Sequence, residues 1–164
     1  MSIYLIRHGQ TNGNRDRIIQ TPDTPLSELG QQQAQQLAQR LQNIPITKII
    51  CSDYLRAQQT AAPLHASNQS SFSLQPLLRE RNFGDLRGKT YAEINADFFA
   101  EGYVPPNGET HQQFVARINL VWEFILTSYL NTTGSLIVMT HGLVLRELIK
   151  QHLTVDELML PLLN

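Results

Sequence analysis

Two short apolar runs, Ile3 to Ile6 and Leu136 to Thr140, each end within two residues at a histidine followed by glycine, His8-Gly9 and His141-Gly142. Neither run alternates polar and apolar residues, as a strand with one wet face would. Both read as strands covered on both faces, the pattern of a parallel sheet. Lys48 to Ser52 and Phe72 to Gln75 supply two further strand-like runs. Helical patterns lie between and after the four. Gln31 to Gln42 is rich in glutamine, but Ala34, Leu37, Ala38 and Leu41 recur at helical spacing, which predicts an amphipathic helix with Ser27 as its N-cap. Ser52 or Asp53 is expected to cap a helix that runs through Arg56 to about Leu64. Thr90 to Glu93 has the form of a capping box and predicts another helix. Thr110 opens the longest, with Phe114, Ile118, Val121, Trp122, Ile125 and Tyr129 on one side. Gly142 to about His152 follows the last strand directly, and a short terminal helix is expected to start at Thr154-Val155-Asp156-Glu157. Alternating strands and helices predict an α/β fold of three layers, a mainly parallel sheet flanked by helices. The 164 residues suit one domain, 1-164, with its own core.

Composition narrows the function classes. With 41% hydrophobic and 16% charged residues the chain reads as an ordinary globular protein. Its net charge of -1 favours neither nucleic acid nor an anionic membrane surface. No apolar stretch is long enough to span a bilayer. Met1-Ser2-Ile3-Tyr4 lacks a basic leader and a cleavage site, so no signal peptide is read. The single Cys51 cannot form an internal disulfide, which predicts a cytoplasmic protein, and it reads as a small buried hydrophobe.

In a parallel sheet the ligand crevice lies beyond the carboxyl ends of the strands. Three segments fall there: Arg7-His8-Gly9, Ser52-Asp53-Tyr54 and Thr140-His141-Gly142, with Arg56 in the first turn after the second. Taken singly, each His-Gly pair reads equally as a water-facing turn. Two arginines and two histidines in one crevice attract a dianion, and a phosphomonoester carries roughly 1.5 to 2 negative charges at neutral pH. Arginine grips such a group through a planar fork of donors. A neutral imidazole is a competent nucleophile toward phosphorus, and nearby arginines keep it neutral. The departing alkoxide needs a proton, for which Glu80, just after the third strand, is the candidate donor. The alternative for Glu80 is a surface ion pair with Arg79 or Arg81.

These residues resemble the motifs of the histidine phosphatase superfamily, the phosphoglycerate mutase-like proteins. Arg7-His8-Gly9-Gln10-Thr11 with Asn14 is similar to the family signature. Asp23-Thr24-Pro25-Leu26-Ser27 with Gly30 and Ala34, Ser52 to Ala61, Leu78 to Gly88, Gly108-Glu109-Thr110 with Phe114 and Arg117, and Val138 to Gly142 with Arg146 resemble further blocks in family order. The resemblance implies that His8 becomes phosphohistidine. It implies that Arg7, Arg56 and His141 hold the phosphoryl oxygens, and that Glu80 gives a proton and later activates water. By the same resemblance Asn14, Gln20, Thr21 and Gly142 contact the substrate, and neither cofactor nor metal is expected. His65, His111 and His152 match no motif position and read as surface or packing residues.

Three departures stand out. Arg87 precedes Gly88 where many relatives have Glu, and with Arg15, Arg17, Arg79, Arg81 and Lys89 it is expected to make the mouth basic, unless these residues are only a solvated charge cluster. The stretch from Glu80 to His141 is short beside that of the glycolytic mutases, which favours a phosphatase. The chain stops at Asn164 where many relatives continue into another strand, so an exposed sheet edge is expected. The expected function is hydrolysis of a small phosphorylated metabolite, with a phosphoglycerate-type mutase or a non-catalytic phospho-ligand or protein-binding module as alternatives. The expected partner is that substrate, with a homodimer left open, and without nucleic acid or membrane.

Overall fold

The computed structural model describes residues 1–154. Four strands, β1 (Ile3–Arg7), β2 (Ile46–Cys51), β3 (Ser71–Leu74) and β4 (Ser135–Thr140), pair entirely in parallel in the order β1-β4-β2-β3. β4 lies inside the sheet and every one of its residues is buried. β1 was expected to be covered on both faces, yet Ile3 to Ile6 are only half-buried, because β1 is an edge strand of the described sheet. The pleat divides the apolar side chains between two layers. Ile49, Cys51, Ile137 and Met139 face helices α2 (Glu28–Arg40) and α3 (Leu55–Ala66). Ile50, Leu136 and Val138 face α4 (His111–Leu130) and α5 (Gly142–His152). Each such side chain contributes about 1.5–3 kcal/mol relative to exposure, and the two layers hold the sheet ends in place.

Local signals explain the helix starts. Ser27 accepts a hydrogen bond from the Gly30 amide, and Thr110 and Gln113 form a reciprocal box at the head of α4. Ser52 and Asp53 do not cap α3, as expected from the sequence; Tyr54 is the N-cap residue and the Ser52 hydroxyl accepts from its amide. A four-residue helix α1 (Asn12–Arg15), capped by Thr11, escapes the periodicity argument because one turn is too short to show a period. The Thr90–Glu93 box forms, but only a single 3-10 turn, Tyr91–Glu93, follows it. Ile94 and Phe98 are drawn instead onto Ile19, Phe83 and Leu86, a separate small core, and this tertiary packing overrides the helical start. The helix expected to start at Thr154 and the sheet edge expected from the chain end near Asn164 fall on residues outside those described. Among the described residues no helix is long and apolar enough to cross a membrane.

Two close approaches fix the loops around the strand ends. A Cβ at Gly30 would collide with the Gln10 carbonyl, so α2 packs directly on the backbone that follows His8. Gly84, at φ +53°, presses on the Pro106 carbonyl, where a side chain would be both strained and blocked.

Candidate active site

The strand ends bring the two histidines together. The His8 amide bonds the Thr140 carbonyl at 3.0 Å, and the Ser52 amide bonds the Met139 carbonyl at 2.9 Å. The His8 and His141 rings meet edge to face with centroids 5.1 Å apart. His8 Nδ1 lies 2.7 Å from the Gly9 carbonyl. A carbonyl can only accept, so Nδ1 carries the proton and Nε2 keeps the lone pair. Arg56, 2% exposed, donates from Nε to that Nε2 at 3.3 Å and from Nη1 to the Thr21 carbonyl at 2.9 Å. Thr60 accepts from the Gly9 amide at 3.0 Å and donates to the Arg56 carbonyl at 2.7 Å, tying the loop that carries His8 to α3. His141 Nε2 is 2.8 Å from the Ser52 hydroxyl, while its buried Nδ1 has no partner among the described residues.

Glu80 does not form the ion pair with Arg79 or Arg81. Arg79 binds Asp53, with Nε 2.8 Å from Oδ1, and the Arg81 guanidinium reaches the carbonyls of Tyr103 and Glu109. The Glu80 carboxyl instead accepts from the amides of Arg81, at 3.0 Å, and Leu143, at 3.2 Å, the latter in the first turn of α5. The Leu77–Asn82 segment is secured from behind. Arg117 pairs with Glu109 at 2.8 Å and donates to the carbonyls of Leu77 and Arg79, and Glu109 accepts from the Asn82 amide. Glu109 and Arg117 therefore hold the segment that carries Glu80, and with Glu80 they line a cavity of about 650 Å³.

A cavity of about 390 Å³ opens over these groups. Arg7, His8, Asn14, Gln20, Arg56, Glu80 and Gly142 line it, and His141 lies fully buried against the His8 ring. Asn14 and Gln20 are steadied by Thr11, whose hydroxyl is 3.0 Å from Asn14 Oδ1 and 2.9 Å from Gln20 Oε1. Thr21 departs from the sequence expectation. Its hydroxyl bonds Thr24 rather than facing the cavity, and it serves the site through the carbonyl that holds Arg56. The basic mouth is also narrower than expected. Arg81, Arg87 and Arg146 line the cavity, the first with its guanidinium tied to two carbonyls, while Arg15 is spent on Asp16 and Arg79 on Asp53. Tyr54, Tyr91, Phe83, Phe98 and Phe99 also line it, a contribution that sequence reasoning missed. Tyr54 was legible by its place just after β2; its ring packs on His141 at 5.3 Å and under Arg56 at 5.1 Å.

The electrostatics follow from burial among cations. Desolvation first, then Arg56 and Arg7, push the His8 pKa down from 6.5 to about 3. Burial likewise holds His141 well below its ordinary value, with Arg56 adding to it. Burial raises the Glu80 pKa above the usual 4.5, against the opposing pull of its two amide donors and of Arg56 and Arg7. Both histidines are thus neutral at neutral pH, and Glu80 holds its proton to higher pH than an exposed carboxyl does. A stability consequence follows for His8. The unfolded chain takes up its proton at 6.5 and the folded chain only near about 3, so the stability from the neutral buried ring is complete above 6.5 and falls as pH drops through that window. The loss approaches about 1.4 kcal/mol per pH unit. Glu80 acts with the opposite sign, so a comparison isolates His8: the wild-type Tm is expected to fall more between about pH 7 and about pH 5 than that of His8→Gln. An equal fall in both would contradict a neutral buried His8.

The chain matches the model of the histidine phosphatase superfamily (branch 1) over residues 3–163. It is similar to the fructose-2,6-bisphosphatase TIGAR of Xenopus tropicalis, 33% identical over 135 residues that cover 76% of this chain and 49% of that protein. It is 31% identical over 160 residues to a probable phosphoglycerate mutase, GpmB, of Erwinia tasmaniensis, covering 91% of this chain and 73% of the relative. Among solved structures it superposes on a mycobacterial glucosyl-3-phosphoglycerate phosphatase, in a complex with VO3, with a TM-score of 0.80 and 28% identity, covering 98% of this chain and 84% of that one. The chain spans about half the length of the TIGAR relatives it matches. With a family match over nearly its whole length, and with the family's fold, this chain belongs to the histidine phosphatase superfamily, branch 1.

Proposed function

We propose that this chain hydrolyses a small phosphomonoester through a phosphohistidine at His8. One observation carries the reading: the Gly9 carbonyl fixes the Nδ1–H form of His8, which leaves a neutral Nε2 with its lone pair beside the buried guanidinium of Arg56. In the first step Nε2 attacks phosphorus and the ester P–O bond breaks. Glu80, whose burial favours the protonated form, gives its proton to the leaving alkoxide oxygen. Arg7, Arg56 and His141 stabilise the charge that grows on the phosphoryl oxygens. In the second step the Glu80 carboxylate takes a proton from water, the water oxygen attacks phosphorus, and the N–P bond breaks to release phosphate and restore neutral His8. Asn14, Gln20 and Gly142 contact the substrate from the wall. The names of TIGAR and of the mycobacterial relative, both phosphatases, support hydrolysis. The lone Cys51, buried and with its thiol pushed up to about 12, is in keeping with a cytoplasmic setting.

A second reading, a mutase of the same chemistry, is favoured by the likeness to GpmB. A panel of phosphomonoesters scored by phosphate release separates the two. Hydrolysis of the best ester is expected to outrun isomer exchange between monophosphoglycerates supplied with catalytic bisphosphoglycerate. Rapid exchange without phosphate release would make the mutase reading correct. Chelator treatment is expected to leave the rate unchanged, and activity that is lost and then restored by a divalent metal would overturn the two-step scheme.

A further inference from the structure

The wall of the active-site cavity includes two chemically unlike groups, beside the polar side chains of Asn14, Gln20, Arg81, Arg87 and Arg146. Arg7, His8, Arg56 and Glu80 form the reactive group. Ile18, Phe83, Tyr91, Phe98, Phe99 and Leu143 form an apolar one, and four of them are a ring cluster whose joined centroids lie 4.3 to 5.9 Å apart. Structural need accounts for part of this cluster. Phe83 and Phe98, 6% and 5% exposed, meet Ile19 and Leu86 as the small core that holds the loop beyond Glu80. It does not account for the rest. Phe99 and Tyr91 leave 45% and 37% of their surface open while lining the same cavity. Apolar surface gathered in a concave site marks where an apolar ligand is desolvated. The ring faces themselves offer a sugar hydroxyl no hydrogen-bond partner, and losing water against them costs free energy for each one. Arg87 and Arg146 add positive charge to the same cavity, which the test below sets against the apolar wall. The Arg87 head is held by the Tyr54 hydroxyl at 2.8 Å, and a long arginine stem covers apolar surface while its charge stays in water.

We propose that the alcohol carried by the phosphate is apolar, an aliphatic or aromatic alcohol that packs against Tyr91 and Phe99. This rests on the phosphomonoester reading of the site, and it sets this chain apart from the sugar phosphates printed in the names of two of its relatives.

The test separates binding from turnover. Affinities of n-alkylphosphonates, from methyl to octyl, are measured by calorimetry on the full chain; their P–C bond cannot be hydrolysed. Each added methylene is expected to tighten binding by about fourfold until the cavity is filled. Phe99→Ala is expected to flatten that dependence, and Phe99→Leu to retain most of it. Phe99 is exposed, so both chains are expected to remain folded, which their Tm values check. A terminal carboxylate or second phosphonate is expected to weaken binding relative to a methyl end of equal length. Affinity independent of chain length overturns the proposal. So does tighter binding of the doubly anionic series that is lost in Arg87→Gln; that result assigns the wall to a second anion instead. The corresponding alkyl phosphates are then scored for phosphate release. A chain-length dependence without release from any ester refutes hydrolysis and upholds the apolar subsite, whereas release without that dependence refutes the subsite alone.

Discussion

His8→Ala is expected to lower phosphoenzyme formation on the order of 10⁴-fold or more, because the substitution removes the atom that forms the new bond. The cavity and its arginines remain, so substrate affinity is expected to change far less than the rate. The direct measurement is a rapid-quench experiment with a labelled phosphate donor. Wild-type protein should carry acid-labile, base-stable label on His8, and the variant should carry none. Label on another residue, or turnover that survives in the variant, would end the assignment. The size of the effect rests on geometry. The Nδ1 proton is committed to the Gly9 carbonyl, and the main-chain bond to Thr140 at 3.0 Å fixes the ring at the end of β1. His141, the other imidazole at these strand ends, is fully buried and does not line the cavity.

The second large effect is expected at Glu80, and its size should depend on the leaving group. An alkyl alkoxide is strongly basic and departs poorly without a proton, whereas nitrophenolate departs readily. Glu80→Gln preserves the shape but cannot donate a carboxyl proton. With alkyl phosphates the single-turnover rate of phosphoenzyme formation is expected to fall by about 10²- to 10⁴-fold. With p-nitrophenyl phosphate the fall should be at most about tenfold. A stability cost is also expected, because Glu80 accepts from both Arg81 and Leu143 and an amide offers only one acceptor oxygen to those two N–H groups. Leaving one buried donor unpaired costs about 1–3 kcal/mol, so Tm is measured alongside. Equal losses with the two esters would remove Glu80 from the donor role. Asp85 and Glu109 are poor substitutes, for the first accepts from Asn107 and the second pairs with Arg117, and neither lines the catalytic cavity.

Where the sequence was legible, a local rule and the global fold agreed. β4 shows as an uninterrupted apolar run because it is covered on both faces, and the parallel sheet then places Arg7, His8, Arg56 and His141 at one end whatever the details of the loops. Ser27 and Thr110 were readable as caps because a cap depends on neighbours only three residues away. The segment from Leu78 to Thr110 was not readable, because its structure is set by long-range partners. Thr90 and Glu93 carry a valid start signal, yet the chain beyond them follows Phe83 and Ile19 rather than its own propensity. The same holds for the site. Glu80 could be placed near the strand ends, but a choice between proton donor and surface ion pair required knowing that Asp53 claims Arg79 and that two carbonyls claim Arg81. The aromatic wall was hidden because Tyr91, Phe98 and Phe99 are separated from His8 by most of the chain's first hundred residues and share no period with it.

The 3.3 Å bond from Arg56 to Nε2 of His8 has a chemical corollary. In the proposed mechanism the lone pair that attacks phosphorus is the one that accepts this bond, so Arg56 masks the imidazole. A neutral electrophile entering the cavity offers Arg56 nothing in exchange and meets a blunted nitrogen. A phosphoryl group brings anionic oxygens that compete for the guanidinium, and by drawing Arg56 onto themselves they unmask the nucleophile at the moment it is needed. Chemoselectivity in this site is thus set by which incoming group can take the arginine away, before any bond to phosphorus begins to form.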